Sequence, residues 1–191
     1  MRTTLVVGLA LTVLLSFTAC DDGTTPTLGN TPAQVLRSLI YAFNSRNIGT
    51  LGNALVSDFT FYFDEDDVGK QIGDYVIPES WGKDEFTVVA GYMFEQAHTI
   101  EMEIDTSNVG APGDDDNIYF ARDIEVRLLV MVDAVNGYLA DGVCDFEFVD
   151  VESGEPDNWV ISNWQDRTWP TVSGGRNVTP ASVGFILAVF D

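Results

Sequence analysis

The sequence predicts an α+β domain in which helices come first and a long antiparallel meander follows. Three observations carry that expectation. Apolar residues recur at helical spacing over 35–43 and again over 86–97. From Ile100 onward the period changes to two, and turn signals separate the period-two runs. The chain of 191 residues is 46% hydrophobic and 12% aromatic, enough for one real core and too apolar for a disordered chain.

The first helix begins at Thr31-Pro32, because threonine suits an N-cap and proline the first helical position. Val35, Leu36, Leu39, Ile40 and Phe43 form its apolar stripe, which ends near Asn44-Ser45-Arg46. Asn47 caps a second, shorter helix with Leu51, Leu55 and Val56 inside, and Gly49 and Gly52 weaken it. Phe59 to Phe63 reads as a strand. Residues 64–80 read as a loop, rich in Asp64-Glu65-Asp66-Asp67, Gly69, Gly73 and Pro78. Ser80 reads as the N-cap of a third helix from Trp81 to about Ala97, with Phe86, Val89, Ala90, Met93, Phe94 and Ala97 on its stripe.

Ile100, Met102 and Ile104 then alternate with Glu101, Glu103 and Asp105, as in a half-buried strand. Gly110 to Asn117 is an acidic turn or loop. Ile124, Val126, Leu128, Val130 and Val132 share one face of a long strand. Asp123, Glu125, Arg127, Leu129, Met131 and Asp133 share the other, so that face is not purely polar. Asn136-Gly137 is a two-residue hairpin signal. Gly142, Cys144, Phe146 and Phe148 point one way on the next strand, with Asp145 and Glu147 opposite. Ser153 to Asp157 makes the next turn, and Trp159 to about Arg167 the last strand of the meander. Thr179-Pro180 caps a short terminal helix packed through Val183, Ile186, Leu187 and Phe190, or else Phe185 to Phe190 forms a strand.

The start of the chain says where the domain resides. Met1-Arg2 is basic, Leu5 to Leu15 is uncharged and apolar, and Ser16-Phe17-Thr18-Ala19-Cys20 follows. This is the layout of a secretory signal peptide, too short for a comfortable permanent span. Its end resembles the lipobox of bacterial lipoproteins, with Phe17 where leucine is commonest. The resemblance implies that Cys20 becomes the lipidated first residue and that residues 1–19 are removed. Residues 20–30 then form the lipidated cysteine and a flexible tether, and 31–191 the domain. The implied place is the bacterial cell envelope, held to a membrane through lipid on Cys20.

Charge and cysteine count exclude further classes. A formal net charge of −21 repels phosphate backbones, so no nucleic-acid partner is expected. With 2 cysteines, one of them assigned to lipid, no disulfide forms inside the mature domain, and Cys144 reads as a small buried hydrophobe.

The order of elements resembles the nuclear transport factor 2-like, or ketosteroid-isomerase-like, fold. Phe43-Asn44 and Leu55-Val56-Ser57-Asp58-Phe59 carry the likeness at one end. Cys144-Asp145-Phe146-Glu147-Phe148-Val149, Trp159-Val160-Ile161 and Trp164-Gln165-Asp166 carry it at the other. It implies a cone: three N-terminal helices packed on a curved, mainly antiparallel sheet. A pocket would lie between the sheet and the helices. Counting from Asn44, the oxyanion-binding tyrosine of the isomerases falls on Leu39, and their base on Phe63 with Asp64 next to it. Leucine donates no hydrogen bond, so that chemistry reads as lost. The dehydratase type pairs histidine with carboxylate, and His98 is this chain's single histidine. No catalytic residue is therefore assigned.

Two acidic clusters, Asp64–Asp67 and Asp114–Asp116, suit calcium by chemistry but not by ligand spacing, so neither a metal nor a cofactor is expected. Tyr62, Trp81, Trp159, Trp164 and Trp169 divide between core and pocket wall, and the first four are the expected ligand contacts. The sequence thus predicts a membrane-anchored lipoprotein whose non-catalytic domain binds a small apolar ligand or a protein partner. Leu129 and Met131 hint at a homodimer through the sheet face. The alternative is an isomerase-like or dehydratase-like enzyme acting on a small hydrophobic substrate, which would need a buried Asp or Glu facing the cone.

Overall fold

The computed structural model describes residues 31–113, 117–151, 158–169 and 177–191. The signal segment, Cys20 and the tether lie outside the described residues, as do Asp114–Asp116 and the turn expected over 153–157. Helices α1 (Pro32–Ser45) and α2 (Ile48–Asn53) lead into strand β1 (Leu55–Tyr62). A small hairpin of β2 (Gln71–Ile72) and β3 (Tyr75–Val76) follows, then β4 (Ser80–Gly82) and α3 (Lys83–Gln96). The meander is β5 (Thr99–Ile104), β6 (Ile118–Met131), β7 (Asn136–Asp150) and β8 (Trp159–Trp169). Strand β9 (Asn177–Pro180) and helix α4 (Val183–Ala188) close the described chain.

The main sheet runs β4-β1-β8-β7-β6-β5. Its pairs are antiparallel except β1 with β8 and β9 with β7. Strand β9 lies beside Asn136–Leu139, where β8 no longer accompanies β7. A bulge bends β6 between Ala121 and Ile124. There Asp123 takes φ 54°, a left-handed conformation that Asp adopts more readily than most side chains. Asp123 N donates to Asp145 at 2.8 Å, and the Arg167 guanidinium binds both carboxylates at 2.6 Å, fixing the bulge from the outer face.

The caps expected for α1 and α2 form. The Thr31 hydroxyl accepts from Gln34 N, and Asn47 Oδ1 accepts from Thr50 N at 2.9 Å. Arg46 then turns left-handed (φ 56°) and its guanidinium binds the carbonyls of Phe94 and His98, near the end of α3. The Asn44 side chain accepts from Met102 N and donates to Met102 O, zipping α1 to β5.

Several expectations are corrected. The first three helices do not all precede the sheet, since α3 follows four strands, whereas α4 is the short terminal helix the sequence offered. Strand β1 starts at Leu55 rather than Phe59 because Leu55 pairs with Ile161 of β8. The stretch 64–80 is not all loop, since Gly73 at φ 60° turns the β2–β3 hairpin. Ser80 is not an N-cap. It pairs with Tyr62 in β4, which lets Trp81 pack inward, and α3 starts from Gly82, whose N–H is bound by Glu85. Asn136-Gly137 is not the turn. The loop is 132–135, organised by Asp133 Oδ1, which accepts from Val135 N and Asn136 N at 2.7 Å. Gly137 sits in β7 for space: a Cβ there would lie 2.4 Å from Val130 O. Val132, expected inside, is exposed in that loop. Thr179-Pro180 belongs to β9, and Ser182 caps α4 instead.

Candidate functional site

Helices α1 and α3 lie against one face of the curved sheet, and aromatic side chains fill the space between. Phe43 comes from α1, Phe61 from β1, Phe63 from just after that strand, Trp81 from β4 and Phe86 from α3. Phe146 and Phe148 come from β7, and Trp164 from β8. Trp164 is the hub. Its ring centroid lies 5.2 Å from Phe146, 5.4 Å from Phe61 and 5.7 Å from Phe86. Edge-to-face and tilted contacts at these distances add to the burial energy. Trp164, Phe43, Phe61, Phe86 and Phe148 are 0% exposed, so no water-sized space adjoins them. The Trp164 indole N–H has no hydrogen-bond partner. It faces the Cys144 sulfur closely enough to favour the thiolate, without hydrogen-bond geometry.

Two residues further along β8, on the same face, the chemistry changes. Asp166 is fully buried. Its Oδ1 accepts from Thr168 N at 3.0 Å and from the Thr168 hydroxyl at 2.6 Å. Its Oδ2 accepts from Gly184 N at 2.6 Å, in the first turn of α4. The Thr168 hydroxyl oxygen in turn accepts from Val183 N at 2.8 Å. Phe185 N is capped by the Ser182 hydroxyl, which itself donates to Asp67 Oδ2. Lys70 neutralises the other oxygen of Asp67 at 2.6 Å. Thus β8 and the Ser182 cap, itself held by Asp67 of the loop after β1, satisfy the leading amides of α4, which would otherwise be orphaned.

Burial pushes the Asp166 carboxyl up to about 6. The Thr168 and Gly184 hydrogen bonds oppose that rise, and the charge of Asp64 adds to it. Cys144, its register partner on β7, lies 3.9 Å away by Sγ, and its thiol is pushed well above the ordinary range, first by burial and then by Asp166. Outside this knot is a cavity of about 320 Å³ lined by Asp64, Asp66, Asp67, Lys70, Thr168, Thr179, Pro180, Ala181, Ser182 and Phe185. The arrangement can hold a carboxylate dry and ionised above about pH 6. In this closed state both of its oxygens are already occupied.

The structure places the residues singled out from sequence as follows. Trp81 and Trp164 join one aromatic cluster through Phe61. The Trp81 indole donates to the Tyr75 hydroxyl at 2.8 Å. Trp159 is buried in the same core, whereas Tyr62 is 40% exposed, on the opposite face of β1 from Phe59 and Phe61. Trp169 belongs to β8, and its side chain lies outside what is described. Leu39 and Phe63 are buried core residues and Cys144 is buried, while His98 is exposed. Leu129 and Met131 are buried under Leu139 and Val178 of the same chain. Asp67 is bound by Ser182 and Lys70, and no group of three metal-ligating side chains occurs among the described residues. Sequence reasoning passed over Asp166. The usable signal was its place two residues from Trp164 on an alternating strand, followed by Thr168.

Comparison with known proteins gives the fold and little more. No family model matches the chain, and no curated protein matches it in sequence. A protein from Novosphingobium aromaticivorans, provisionally named a scytalone dehydratase, superposes with a TM-score of 0.52 at 12% identity, over 71% of this chain and 79% of that one. LinA superposes with a TM-score of 0.51 at 14% identity, over 77% and 84%. The chain has the nuclear transport factor 2-like fold. A Salmonella enterica protein described as nuclear transport factor 2-like also aligns, with a TM-score of 0.49 at 9% identity, over 75% and 90%. At such identities the likeness extends to the fold alone. No helix among the described residues is long and apolar enough to cross a membrane.

Proposed function

We propose that the chain is an envelope lipoprotein, held to a membrane through lipid on Cys20, whose domain binds a partner and catalyses no reaction. The observation that carries this reading is the packing of the cone. Its interior is taken up by the chain's own rings around Trp164, and its two buried carboxylates among the described residues are engaged at the start of α4, Asp166 by Gly184 N and Asp67 by the Ser182 cap. A protein partner on the outside is favoured over an apolar ligand within. The basic start, apolar stretch and Cys20 support the anchor. Two chains of lipid, rather than one, give stable attachment.

Two measurements test it. Metabolic labelling with a fatty-acid analogue in a bacterial host is expected to mark the chain and to fail for Cys20→Ser. Labelling that survives the substitution removes the anchor. Native mass spectrometry of residues 22–191 after gentle purification is expected to show protein masses alone. A reproducible small extra mass would favour a ligand in the cone.

A second reading has one specific observation behind it. Asp166 faces the cone, and burial pushes its carboxyl up to about 6, toward the range a general base on a small hydrophobic substrate needs. The dehydratase name attached to one structural neighbour is consistent with such chemistry. On this reading the substrate enters only after α4 moves. Loss of turnover in Asp166→Asn, with the fold retained, is its expected signature.

A further inference from the structure

We propose that α4 is a gate, which swings out on a hinge at Ala181–Ser182 while the sheet and the other helices stay folded, and so uncovers Asp166. Three observations carry this. First, α4 can leave without breaking a strand pair. The register of β9 ends at Pro180, and the next backbone bond to the sheet, Ala181 N to Leu139 O at 3.0 Å, lies on the hinge itself. Beyond it, among the described residues, the polar links from the start of α4 to the rest of the fold are made by side chains: Asp67, Asp166 or Thr168. Second, what α4 covers is a buried polar knot. Lifting α4 exposes Val183, Ile186 and Leu187, which are buried when it is docked, and that opposes opening. It also hydrates a carboxylate that burial disfavours, which helps it. The net cost falls below that of unfolding the aromatic core, where no such relief is gained. Third, the fit is close at one point. A Cβ on Gly184 would lie 2.6 Å from Phe63 Cδ1 and 3.2 Å from Asp166 Oδ2. The Gly184 backbone is not left-handed, so the strain of a side chain there comes from these contacts across the closed gate and not from its own conformation.

The gate deepens the second functional reading, since it is the route by which Asp166 would be reached. Its test needs no activity and so stands apart from that reading. In the full chain carrying Cys20→Ser, Cys144 is the sole thiol. Its buried sulfur lies 3.9 Å from Asp166 Oδ1, so an opening that uncovers Asp166 is expected to admit Ellman's reagent to it. The expected result is labelling in dilute urea with a urea dependence well below that of global unfolding followed by tryptophan fluorescence. Gly184→Ala should speed labelling about tenfold or more, as overpacking does elsewhere. Should that variant fail to fold, Thr168→Val removes the bond to Val183 N without added bulk and should speed labelling in the same sense. Amide exchange at Gly184 should likewise be faster than at Phe146. Labelling that tracks the global urea dependence, or that neither variant speeds, overturns the gate.

Discussion

Trp164 and Asp166 stand two residues apart on one strand, face the same way and are both fully buried, yet they are held by opposite means. Around Trp164 the neighbours are rings, and the energy is area and close packing. Its indole N–H goes without a partner, at a cost of about 1–3 kcal/mol that the packing outweighs. Around Asp166 the neighbours are hydroxyls and amides, and nothing is left unsatisfied on the carboxylate. The contrast teaches where this fold is rigid and where it is conditional. A packed ring cluster depends weakly on pH, whereas a buried carboxylate carries its proton balance into the stability of the whole chain.

The largest expected effect breaks the packed region. Trp164→Ala should lower the unfolding free energy by about 3–5 kcal/mol in urea titrations, because a cavity replaces the hub. Trp164→Phe should cost far less, since it keeps a ring and removes the orphan donor. Equal losses from the two would mean that the indole N–H matters after all.

The next effect belongs to the mouth. Asp166 titrates at about 6 in the fold against an ordinary 3.8, so the folded chain holds this proton more tightly than the unfolded one. Its contribution to stability is therefore full below about pH 3.8 and lost as pH rises through about 6, an amount of about 3 kcal/mol. Asp64, also raised by burial, acts in the same direction. Asp105 and Asp133, held low by local hydrogen bonds, act oppositely and only in more acid solution. Urea midpoints should fall between about pH 4 and 6.5 and then level off. Asp166→Asn should flatten that slope, and an unchanged slope would place the titration elsewhere.

Thr168→Val comes third. It keeps the shape but removes the hydroxyl that serves both Asp166 and Val183, so a loss of about 1–3 kcal/mol is expected by thermal melting. Smallest is Arg167→Leu on the outer face. The Arg167 pairs with Asp123 and Asp145 are substantially exposed, so the loss should be under about 1 kcal/mol and shrink in salt. A larger loss would mean that the bulge on β6, and not the charge pair alone, depends on it.

Much of the core was legible from spacing. The stripes of α1 and α3 and the inward faces of β5, β6 and β7 lie where their periods predicted, because burial on one face imposes a period on any amphipathic element. The caps Thr31 and Asn47 were legible for the same kind of local reason. Leu129 and Met131 were not. They read as an unpartnered face, and β9, far along the chain, covers them through Val178. Asp166 was hidden because an aspartate in a strand normally marks the wet face, and nothing near it in sequence announces amides arriving from residues 183 and 184.

The sequence by itself determined the α+β class, the order of the main helices and of the meander strands, the acidic charge and most of the apolar residues that face inward. All of these follow from local periodicity and composition. Only the tertiary structure decided that the cone is filled by its own rings and that the start of α4 packs on two buried carboxylates, Asp166 and Asp67. Those features join residues more than a hundred positions apart, such as Asp67 and Ser182, and no local pattern encodes a contact that depends on where two distant segments meet.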